Sequence, residues 1–317
     1  MISRSLYSNY SSCVFSAAAW LLVLLCLISA SACEATRTAG TSRGRVVTDG
    51  IGRKVTLAAK VERVVSLAPS VTELVFAAGG GDRLVGVTSY CNYPAEAASI
   101  AKIGDTMTPN MESIVALRPD LVIVSKASQV ESFVKTLSAN GIEIYVSDPK
   151  GVIDVIAEIR RLGEIFGTED TAQDTADKLR SRVGSVTNKL SGVGSRPSVL
   201  VQVSREPLFT IGEEAFLNEV VRQAGGVSAT ASVPTAFPKL SKESALALMP
   251  DVIVLSDSED NREPNDAFRS SPAVRNGRVY RIDADILSRP GPRTVDALER
   301  LASSLHPEIF EQGHDNK

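Results

Sequence analysis

Two loops contain the polar and aromatic side chains best suited to binding a ligand. Tyr90 and Tyr93 lie in SYCNYP, directly after an apolar run over residues 84–87, and ligand sites of α/β sheets tend to follow strands. A tyrosine presents a flat apolar face and a polar tip to a large ring ligand, although packing beside Pro94 would also explain these residues. Arg289 lies in RPGPR, between a helix start and prolines that hold it in place. Its guanidinium either donates to amides or a phosphate or remains a surface cation.

Residues for catalysis or for holding a bare metal ion are scarce. The sequence has two histidines, His306 and His314, and it lacks a GxSxG motif, a Walker loop and a dinucleotide-binding fingerprint. A zinc or manganese site needs clustered histidines and carboxylates. Cys91 is either a soft metal ligand or a small buried apolar side chain. We expect no catalytic residue, no metal site and no cofactor, and an enzyme on a two-lobed fold is a remote alternative.

The composition is that of a globular protein with enough chain for two modest domains. Of the 317 residues, 44% are hydrophobic and 22% are charged. Lysine and arginine number 34 and the acidic residues 37, which gives a formal net charge of -3. Because nucleic-acid binding requires a basic surface that neutralises phosphates, the composition predicts no nucleic-acid partner.

The N-terminal segment has the pattern of an export signal. Arg4 precedes an apolar run over residues 14–32, and Ala-Ser-Ala stands directly before Cys33. This order resembles a bacterial lipobox, in which the cysteine becomes the lipidated first residue. We expect a lipoprotein signal segment over residues 1–33, with Cys33 as the lipidation site, and a flexible tether over residues 34–45. An uncleaved membrane anchor is the alternative, since the run is nearly long enough to span a bilayer.

Apolar runs of strand length alternate with helical patterns along the rest of the chain. The predicted strands are residues 64–67, 84–87, 121–125 and 144–147, and, after a gap, 199–203, 252–255 and 279–282. Their nearly continuous apolar character suits a sheet covered on both faces, so we expect α/β structure with mainly parallel sheets. The first predicted helix begins with Ser70 as N-cap and Glu73 as its capping-box partner, and it ends at Gly79.

One long helix separates the two groups of strands. Residues 168–190 carry no strand pattern, and their apolar positions recur at helical spacing. The predicted fold class is therefore two α/β lobes with mainly parallel sheets, joined by a single long backbone helix. We expect the first lobe over residues 46–167, the backbone helix over residues 168–192 and the second lobe over residues 193–313, with a ligand cleft between the lobes.

A weak internal repeat indicates that the two lobes are related. Residues 111–124 read MESIVALRPDLVIV, and residues 242–255 read KESALALMPDVIVL. Each copy has Glu-Ser at a helix start, apolar residues facing a core, Pro-Asp as a stop and then a strand. Glu112 and Glu243 therefore stand at equivalent places, where a carboxylate also stabilises the positive N-terminus of a short helix.

A set of phrases in a fixed order resembles a known family. They are TDGIGRKVTL, RVVSLAPSVTELVFAAG, GVTSYCNYP, ESIVALRPDLVIV, LFTIGEEAFLNEVVRQAGG, FPKLSKESALALMPDVIVL and RPGPRTVDALERLASSLHPE. The chain is similar to the class III, helical-backbone periplasmic binding proteins, which serve ABC importers of cobalamin, haem and iron siderophores. SYCNYP and RPGPR look most like cobalamin-binding members. The resemblance thus implies a lipoprotein that captures a corrinoid such as vitamin B12, with haem or a ferric siderophore as the alternative ligand.

The resemblance also implies which residues bind the ligand. These residues are Ser70, Tyr90, Tyr93, Phe209, Phe237, Asp285 and Arg289. For the phenylalanines, packing in the core is the alternative. Cobalamin-binding members often line the cleft with tryptophans, and the corresponding places in this chain hold Thr106, Ser125 and Phe237.

The expected partners follow from the same resemblance. Glu112 and Glu243 are similar to the two glutamates with which this family meets arginines of the permease. One carboxylate per lobe would orient a two-lobed protein on a two-fold transporter. The expected partners are therefore the permease dimer of an ABC importer, a small-molecule ligand and, through the lipid, the membrane. We expect a monomer on the periplasmic or cell-surface side of that membrane.

Overall fold

Two α/β lobes and a long connecting helix form the part of the chain seen in the computed structural model. The structure describes residues 44–126 and 130–310, without the side chains of residues 130–132. Each lobe contains a mainly parallel sheet with helices packed against it. The fold class predicted from the alternation of apolar runs and helical patterns is confirmed.

The first lobe is built on a parallel sheet with the strand order β4-β3-β5-β6. An antiparallel hairpin precedes it, formed by β1 (Arg45–Thr48) and β2 (Lys54–Leu57). The sheet strands are β3 (Val64–Ser66), β4 (Leu84–Val87), β5 (Leu121–Ser125) and β6 (Glu143–Ser147). The helices are α1 (Pro69–Ala77), α2 (Met111–Ala116), α3 (Val130–Ala139) and α4 (Val152–Phe166), with 3-10 helices at Gly81–Arg83 and Ala95–Ser99.

The backbone helix, α5 (Glu169–Leu190), begins one residue after the predicted start. Its buried residues follow the predicted apolar spacing and are Ala172, Ala176, Leu179, Val183 and Val186. The helix lies very close to α4, because a Cβ atom added at Gly163 would be only 2.3 Å from the Cβ atom of Ala172. Glycine at position 163 therefore permits the contact between the backbone helix and the first lobe.

The second lobe repeats the topology of the first. Its parallel strands have the order β9-β7-β10-β11, which matches β4-β3-β5-β6. They are β7 (Ser198–Ser204), β9 (Val227–Ser228), β10 (Val252–Asp257) and β11 (Val279–Asp283), and β8 (Phe209–Thr210) pairs antiparallel with β7. The helices are α6 (Phe216–Gln223), α7 (Lys242–Leu248), α8 (Pro272–Arg275), α9 (Ala284–Leu287), α10 (Thr294–Leu305) and α11 (Pro307–Phe310), with a 3-10 helix at Asp266–Phe268.

The internal repeat coincides with equivalent elements of the two lobes. The copies comprise α2 with β5 and α7 with β10. Before the proline of each copy the backbone is left-handed, with φ of 46° at Arg118 and 42° at Met249. After the proline, the backbone N–H groups of Asp120 and Asp251 donate to carbonyls at the start of the first sheet strand of each lobe, those of Arg63 and Ser198, over 2.8 and 3.0 Å. The two copies therefore have the same local geometry.

One apolar core runs through both lobes and the backbone helix. In β5, Leu121 faces this shared core, while Val122 faces a second core on the other side of the sheet. In β10, Val252 and Ile253 alternate in the same way between the shared core and a third one. Because close-packed interiors deform little, this continuous core favours small movements of one lobe against the other.

The start of α1 differs from the prediction. The helix begins at Pro69, and its N-cap is Ala68, which makes no side-chain cap bond. Proline suits the first helical position, where its missing N–H would lack a helical partner anyway. The predicted capping box of Ser70 with Glu73 is wrong, and both side chains are buried instead. The end of the helix is as predicted, since Gly79 has a φ of 80°.

The predicted signal segment and tether, with Cys33 between them, lie outside the described residues except for residues 44 and 45. Among the helices of residues 44–126 and 130–310, none is long and apolar enough to cross a membrane.

Candidate functional site

A cavity of about 1090 Å³ lies between the two lobes. The first-lobe wall consists of residues at the carboxyl ends of β5 and β6, namely Ser125, Lys126, Ser147, Asp148, Pro149 and Lys150. The opposite wall includes Glu213, Glu214, Phe216, Glu219, Arg222 and Phe237. The carboxyl ends of parallel strands are where α/β proteins commonly bind ligands, so this cavity is the candidate site.

The first-lobe wall of the cavity has a net positive charge. The Asp148 carboxylate lies 2.6 Å from the Lys150 ammonium and 3.3 Å from the Lys126 ammonium. The Asp148 side chain is only 13% exposed, whereas both lysine side chains are more than half exposed. Two cations thus share one carboxylate on this wall.

The opposite wall is acidic. Glu213, Glu214 and Glu219 line it, and Arg222 lies 2.5 Å from the Glu219 carboxylate. The hydrogen bond from Arg222 lowers the pKa of Glu219. At this end the lobes also touch, because a Cβ atom added at Gly151 of the first lobe would lie 2.6 Å from Cγ of Glu219.

A polar network joins the lobes beside the cavity. Asn92 of the first lobe donates to the Asp285 carboxylate over 2.8 Å and accepts from Arg289 over 2.7 Å. Arg289 also pairs with Asp285 at 2.6 Å and lies 3.5 Å from the backbone carbonyl of Tyr90. Ser288 and Pro290, the neighbours of Arg289, line the cavity. The predicted residues Tyr90, Asp285 and Arg289 are therefore brought together across the lobes.

A buried ion pair lies next to this network. Glu73 of α1 accepts from Nη2 and Nε of Arg293 over 2.6 and 3.0 Å, and Arg289 lies 3.5 Å from the same carboxylate. The guanidinium of Arg293 is also 4.3 Å from the centre of the Tyr93 ring. The hydrogen bond to Glu73 is the main reason why the pKa of Arg293 is raised. Glu73 thus bonds to the second lobe.

The aromatic candidates differ in their surroundings. Phe237 lines the cavity and is 50% exposed, which is typical of a side chain available to a ligand. Tyr90 and Tyr93 are also exposed, at 60% and 47%. Phe209 is half-buried in β8, opposite Ser204 of β7. Phe237 is the only one of the seven predicted binding residues among the described residues that line the cavity. Tyr90, Tyr93, Asp285 and Arg289 lie beside it, and Phe209 and the buried Ser70 are also absent from the lining.

The two repeated glutamates lie on the outer surface of their lobes. Glu112 and Glu243 are exposed, each in the first turn of its helix. The N-cap side chain of each helix, Asn110 or Ser241, accepts from the backbone N–H three residues later. The pKa of Glu243 is lowered by hydrogen bonds with its own backbone N–H and with Ser241. This geometry fits both an exposed docking carboxylate and a helix-stabilising one.

Cys91 is enclosed in the first lobe. It is 2% exposed, belongs to the shared apolar core and lies 3.1 Å from the hydroxyls of Thr72 and Thr88. This environment favours the small buried side chain over a metal ligand facing the cleft.

A family comparison indicates what kind of protein has this cleft. The model of a family described as periplasmic binding protein matches residues 64–286. The chain belongs to this family. Members of the family are solute-binding proteins and not enzymes.

Two relatives narrow the class further. The chain is 32% identical over 274 residues to YvrC, an ABC transporter substrate-binding lipoprotein of Bacillus subtilis, with 84% of this chain and 87% of the relative covered. It is 31% identical over 244 residues to the vitamin B12-binding protein of Photorhabdus laumondii, with 77% and 88% covered. This protein is therefore a substrate-binding protein of the ABC-importer type, which has a transporter partner and a small-molecule ligand.

Solved structures agree with the fold. The periplasmic vitamin B12 binding protein BtuF of Vibrio cholerae is similar with a TM-score of 0.71 and 31% identity, covering 80% of this chain and 99% of that chain. The heme-binding protein RhuT of Roseiflexus sp. RS-1 has a TM-score of 0.68 at 24% identity, covering 78% and 99%. The second likeness concerns the fold alone.

Several residues of the cleft are absent from the sequence prediction. Lys126 and Asp148 directly follow predicted strands, so the rule that ligands meet the carboxyl ends of parallel strands could have found them. Asn92 lies inside the SYCNYP loop, between the predicted residues Tyr90 and Tyr93. Glu73 fits a local capping pattern, and no local pattern relates it to Arg293, 220 residues away.

Proposed function

We propose that this protein captures a corrinoid of the vitamin B12 type in the interlobe cavity and delivers it to an ABC importer. The proposal is supported by relatives at about one-third identity that are named vitamin B12-binding proteins. The SYCNYP and RPGPR loops, which resemble those of cobalamin-binding members, meet beside the cavity through Asn92 and Arg289.

The charge balance of the cavity is the observation that carries the choice of ligand. Its described lining has four basic and four acidic side chains, which are Lys126, Lys150, Arg196 and Arg222, and Asp148, Glu213, Glu214 and Glu219. A polyanionic ferric siderophore favours an excess of basic groups. A corrinoid carries many neutral amides, and both carboxylates and guanidinium groups can bond to amides.

The lining also disfavours haem. Protein ligands of haem iron are usually histidine, cysteine, methionine or tyrosine. None of these residue types is among the described residues that line the cavity, and Tyr90 and Tyr93 belong to the network beside it, so haem iron would have to reach that network to find a protein ligand. Phe237 and Phe216 supply apolar surface there instead, as a large ring ligand requires.

Attachment and docking complete the proposal. Lipid on Cys33 holds a monomer on the periplasmic or cell-surface side of the membrane, where several acyl chains would anchor it durably. Glu112 and Glu243, one exposed carboxylate per lobe, meet arginines of the permease dimer.

Calorimetry on the protein without its signal segment tests the ligand. We expect cyanocobalamin to bind with sub-micromolar affinity and more tightly than haemin or a polyanionic ferric siderophore such as ferric enterobactin. Absorption spectra and mass analysis of any ligand retained on purification provide a second readout, because corrin, haem and siderophore chromophores differ. Sub-micromolar haemin binding without cyanocobalamin binding would overturn the corrinoid assignment and leave the protein class intact.

A further inference from the structure

We infer that Glu73 is a positioning residue of the cleft, which holds Arg289 in the orientation that meets the ligand. The inference rests on the proposed corrinoid function, because it concerns the same cleft. Glu73 belongs to the first lobe and Arg289 to the second, so this role also fixes the two lobes against each other at one edge of the cavity.

The burial of Glu73 requires cationic partners. Its side chain is 1% exposed, and a carboxylate in such a place is strongly destabilising unless it is paired and hydrogen-bonded. The side-chain partners that the structure gives it, Arg293 and Arg289, both come from the second lobe. The charge of Glu73 is therefore satisfied only while the lobes keep their present relation.

The two arginines are held in different ways. Arg293 directs two donors at Glu73 and lies over the Tyr93 ring, so its guanidinium is committed to the lobe junction. Arg289 lies 3.5 Å from Glu73, and its shorter contacts are with Asn92 and Asp285. A ligand can replace those contacts more easily, because the Asp285 side chain is 38% exposed. Arg293 is thus the anchor, and Arg289 is the cation available to a ligand.

The loop that carries both arginines is shaped to reach Glu73. Gly291 lies between them, and a Cβ atom there would be 3.3 Å from Oε2 of Glu73. The Thr294 hydroxyl accepts from the Gly291 N–H over 3.2 Å and donates to the Arg289 carbonyl over 3.1 Å. These hydrogen bonds hold the loop together where it lies against α1, so the position of Glu73 affects the position of Arg289.

Loss of the Glu73 charge should change the cleft in a defined way. Without it, Arg293 would lose its carboxylate partner and Arg289 would keep only the Asp285 carboxylate, so the repulsion between the two guanidinium groups would be less fully offset. Arg289, which makes only the longer 3.5 Å contact with Glu73, would turn away from the cavity. Ligand binding should therefore weaken, and the loss should occur only when Arg289 is present.

A double-mutant cycle measures that dependence. Cyanocobalamin affinity is determined by calorimetry for the wild type, Glu73→Gln, Arg289→Met and the double variant. We expect each single change to weaken binding at least tenfold, and the double variant to bind within threefold of Arg289→Met. Glu299→Gln is the matched control, because Glu299 makes a similar two-bond contact with Arg182, at 2.9 and 2.6 Å, between α5 and α10. The control should bind within twofold of the wild type.

Two results would overturn the inference. One is that folded Glu73→Gln protein binds cyanocobalamin with wild-type affinity. The other is that the affinity loss of the double variant equals the product of the two single losses, because the two residues would then act independently. If Glu73→Gln fails to fold, Glu73→Asp takes its place in the cycle. We then expect a smaller loss of cyanocobalamin affinity, which again disappears when Arg289 is replaced. If the wild type binds haemin and not cyanocobalamin, the proposed function fails, and the same cycle with haemin still decides the role of Glu73.

Hydrogen exchange of the unliganded protein provides a readout that needs no ligand. The N–H groups of Gly291 and Thr294 are bonded within the loop that Glu73 supports. Glu73→Gln should accelerate their exchange at least tenfold, and Glu299→Gln should not. Unchanged exchange in Glu73→Gln would contradict a positioning role.

Discussion

Glu112 and Glu243 occupy the same second position of two equivalent helices, each behind an N-cap side chain, Asn110 or Ser241. The carboxylates are exposed, and each helix leads into an inner strand of its own sheet. The structure thus presents one matched carboxylate on each lobe. A permease with two equivalent halves could bind such a pair.

Replacing both glutamates should reduce uptake and leave ligand binding intact. Exposed charges at a helix start contribute little to stability, so Glu112→Ala with Glu243→Ala should barely change the thermal stability or the ligand affinity. Uptake by cells should fall sharply, more than with either single change. Glu112→Arg with Glu243→Arg should be worse, because like charges would then face the permease arginines.

The matched control for this prediction lies in the backbone helix. Glu169 and Asp170 are exposed and lie in the first turn of α5, so Glu169→Arg with Asp170→Arg makes the same charge change at another helix start. This control should transport normally. Normal uptake by the Glu112→Arg, Glu243→Arg protein would show that these residues only stabilise their helices.

Much of the fold is predictable because its strands are buried on both faces. The prediction for β4 and for β5 has the observed bounds, since nearly continuous apolar runs between turn signals leave little choice. In α5 the buried positions follow directly from the helical spacing of apolar residues. The sequence does not predict the two-residue strands β8 and β9, because their pairing with β7 depends on tertiary contacts and not on a local pattern.

The site was less predictable than the fold for the same physical reason. Tyr90 and Arg289 stood out by residue type and loop position, and they do come together. Glu73 matched a local capping pattern, but pairing with Arg293 in the other lobe satisfies its buried charge. Side-chain partners that are distant in sequence cannot be found from spacing within one segment.

Tyr90→Ala should weaken corrinoid binding several-fold without destabilising the protein. An aromatic face against a large ring contributes about 1 kcal/mol beyond area burial. The Tyr90 side chain is mostly exposed in the ligand-free structure, so its loss removes little packing. Calorimetry with cyanocobalamin is the measurement, and Tyr90→Phe, which keeps the ring, is the control and should bind nearly normally. Equal affinities of the alanine and wild-type proteins would place the ligand elsewhere.

Cys33→Ser should release the protein from membranes. The expectation comes from the Ala-Ser-Ala-Cys order after the apolar run over residues 14–32. Cell fractionation followed by immunodetection measures the distribution, and metabolic labelling with a fatty acid reports the modification directly. Retention of the variant in the membrane fraction, with the apolar segment still attached, would favour an uncleaved anchor.

The buried Glu158 should make stability depend on pH. Burial raises its pKa above the ordinary 4.5, although Arg161 acts in the opposite direction. Folding therefore favours the neutral carboxyl, so the contribution of this group is fully present below pH 4.5 and is lost as the pH rises through the raised pKa. Glu158→Gln should gain thermal stability relative to the wild type between pH 4 and pH 7. A difference in melting temperature that shrinks over this range would contradict the prediction.

Two glycines on neighbouring helices should respond oppositely to alanine. At Gly163 a Cβ atom would lie 2.3 Å from the Cβ atom of Ala172, so α4 and α5 must move apart. Gly184 of α5 has no atom within 4 Å of an added Cβ atom. Alanine at this helical position should therefore stabilise the protein by roughly 0.5–1 kcal/mol through helix propensity.

Gly163→Ala gains the same propensity, but overpacking in a dense core costs about 1–3 kcal/mol and outweighs it. We expect a lower midpoint of urea unfolding for Gly163→Ala than for the wild type, and a higher one for Gly184→Ala. Both substitutions add one methyl group to a helix, so their difference isolates the contact between α4 and the backbone helix. Equal midpoints for the two variants would mean that the helices separate at no cost and that Gly163 is not required for their packing.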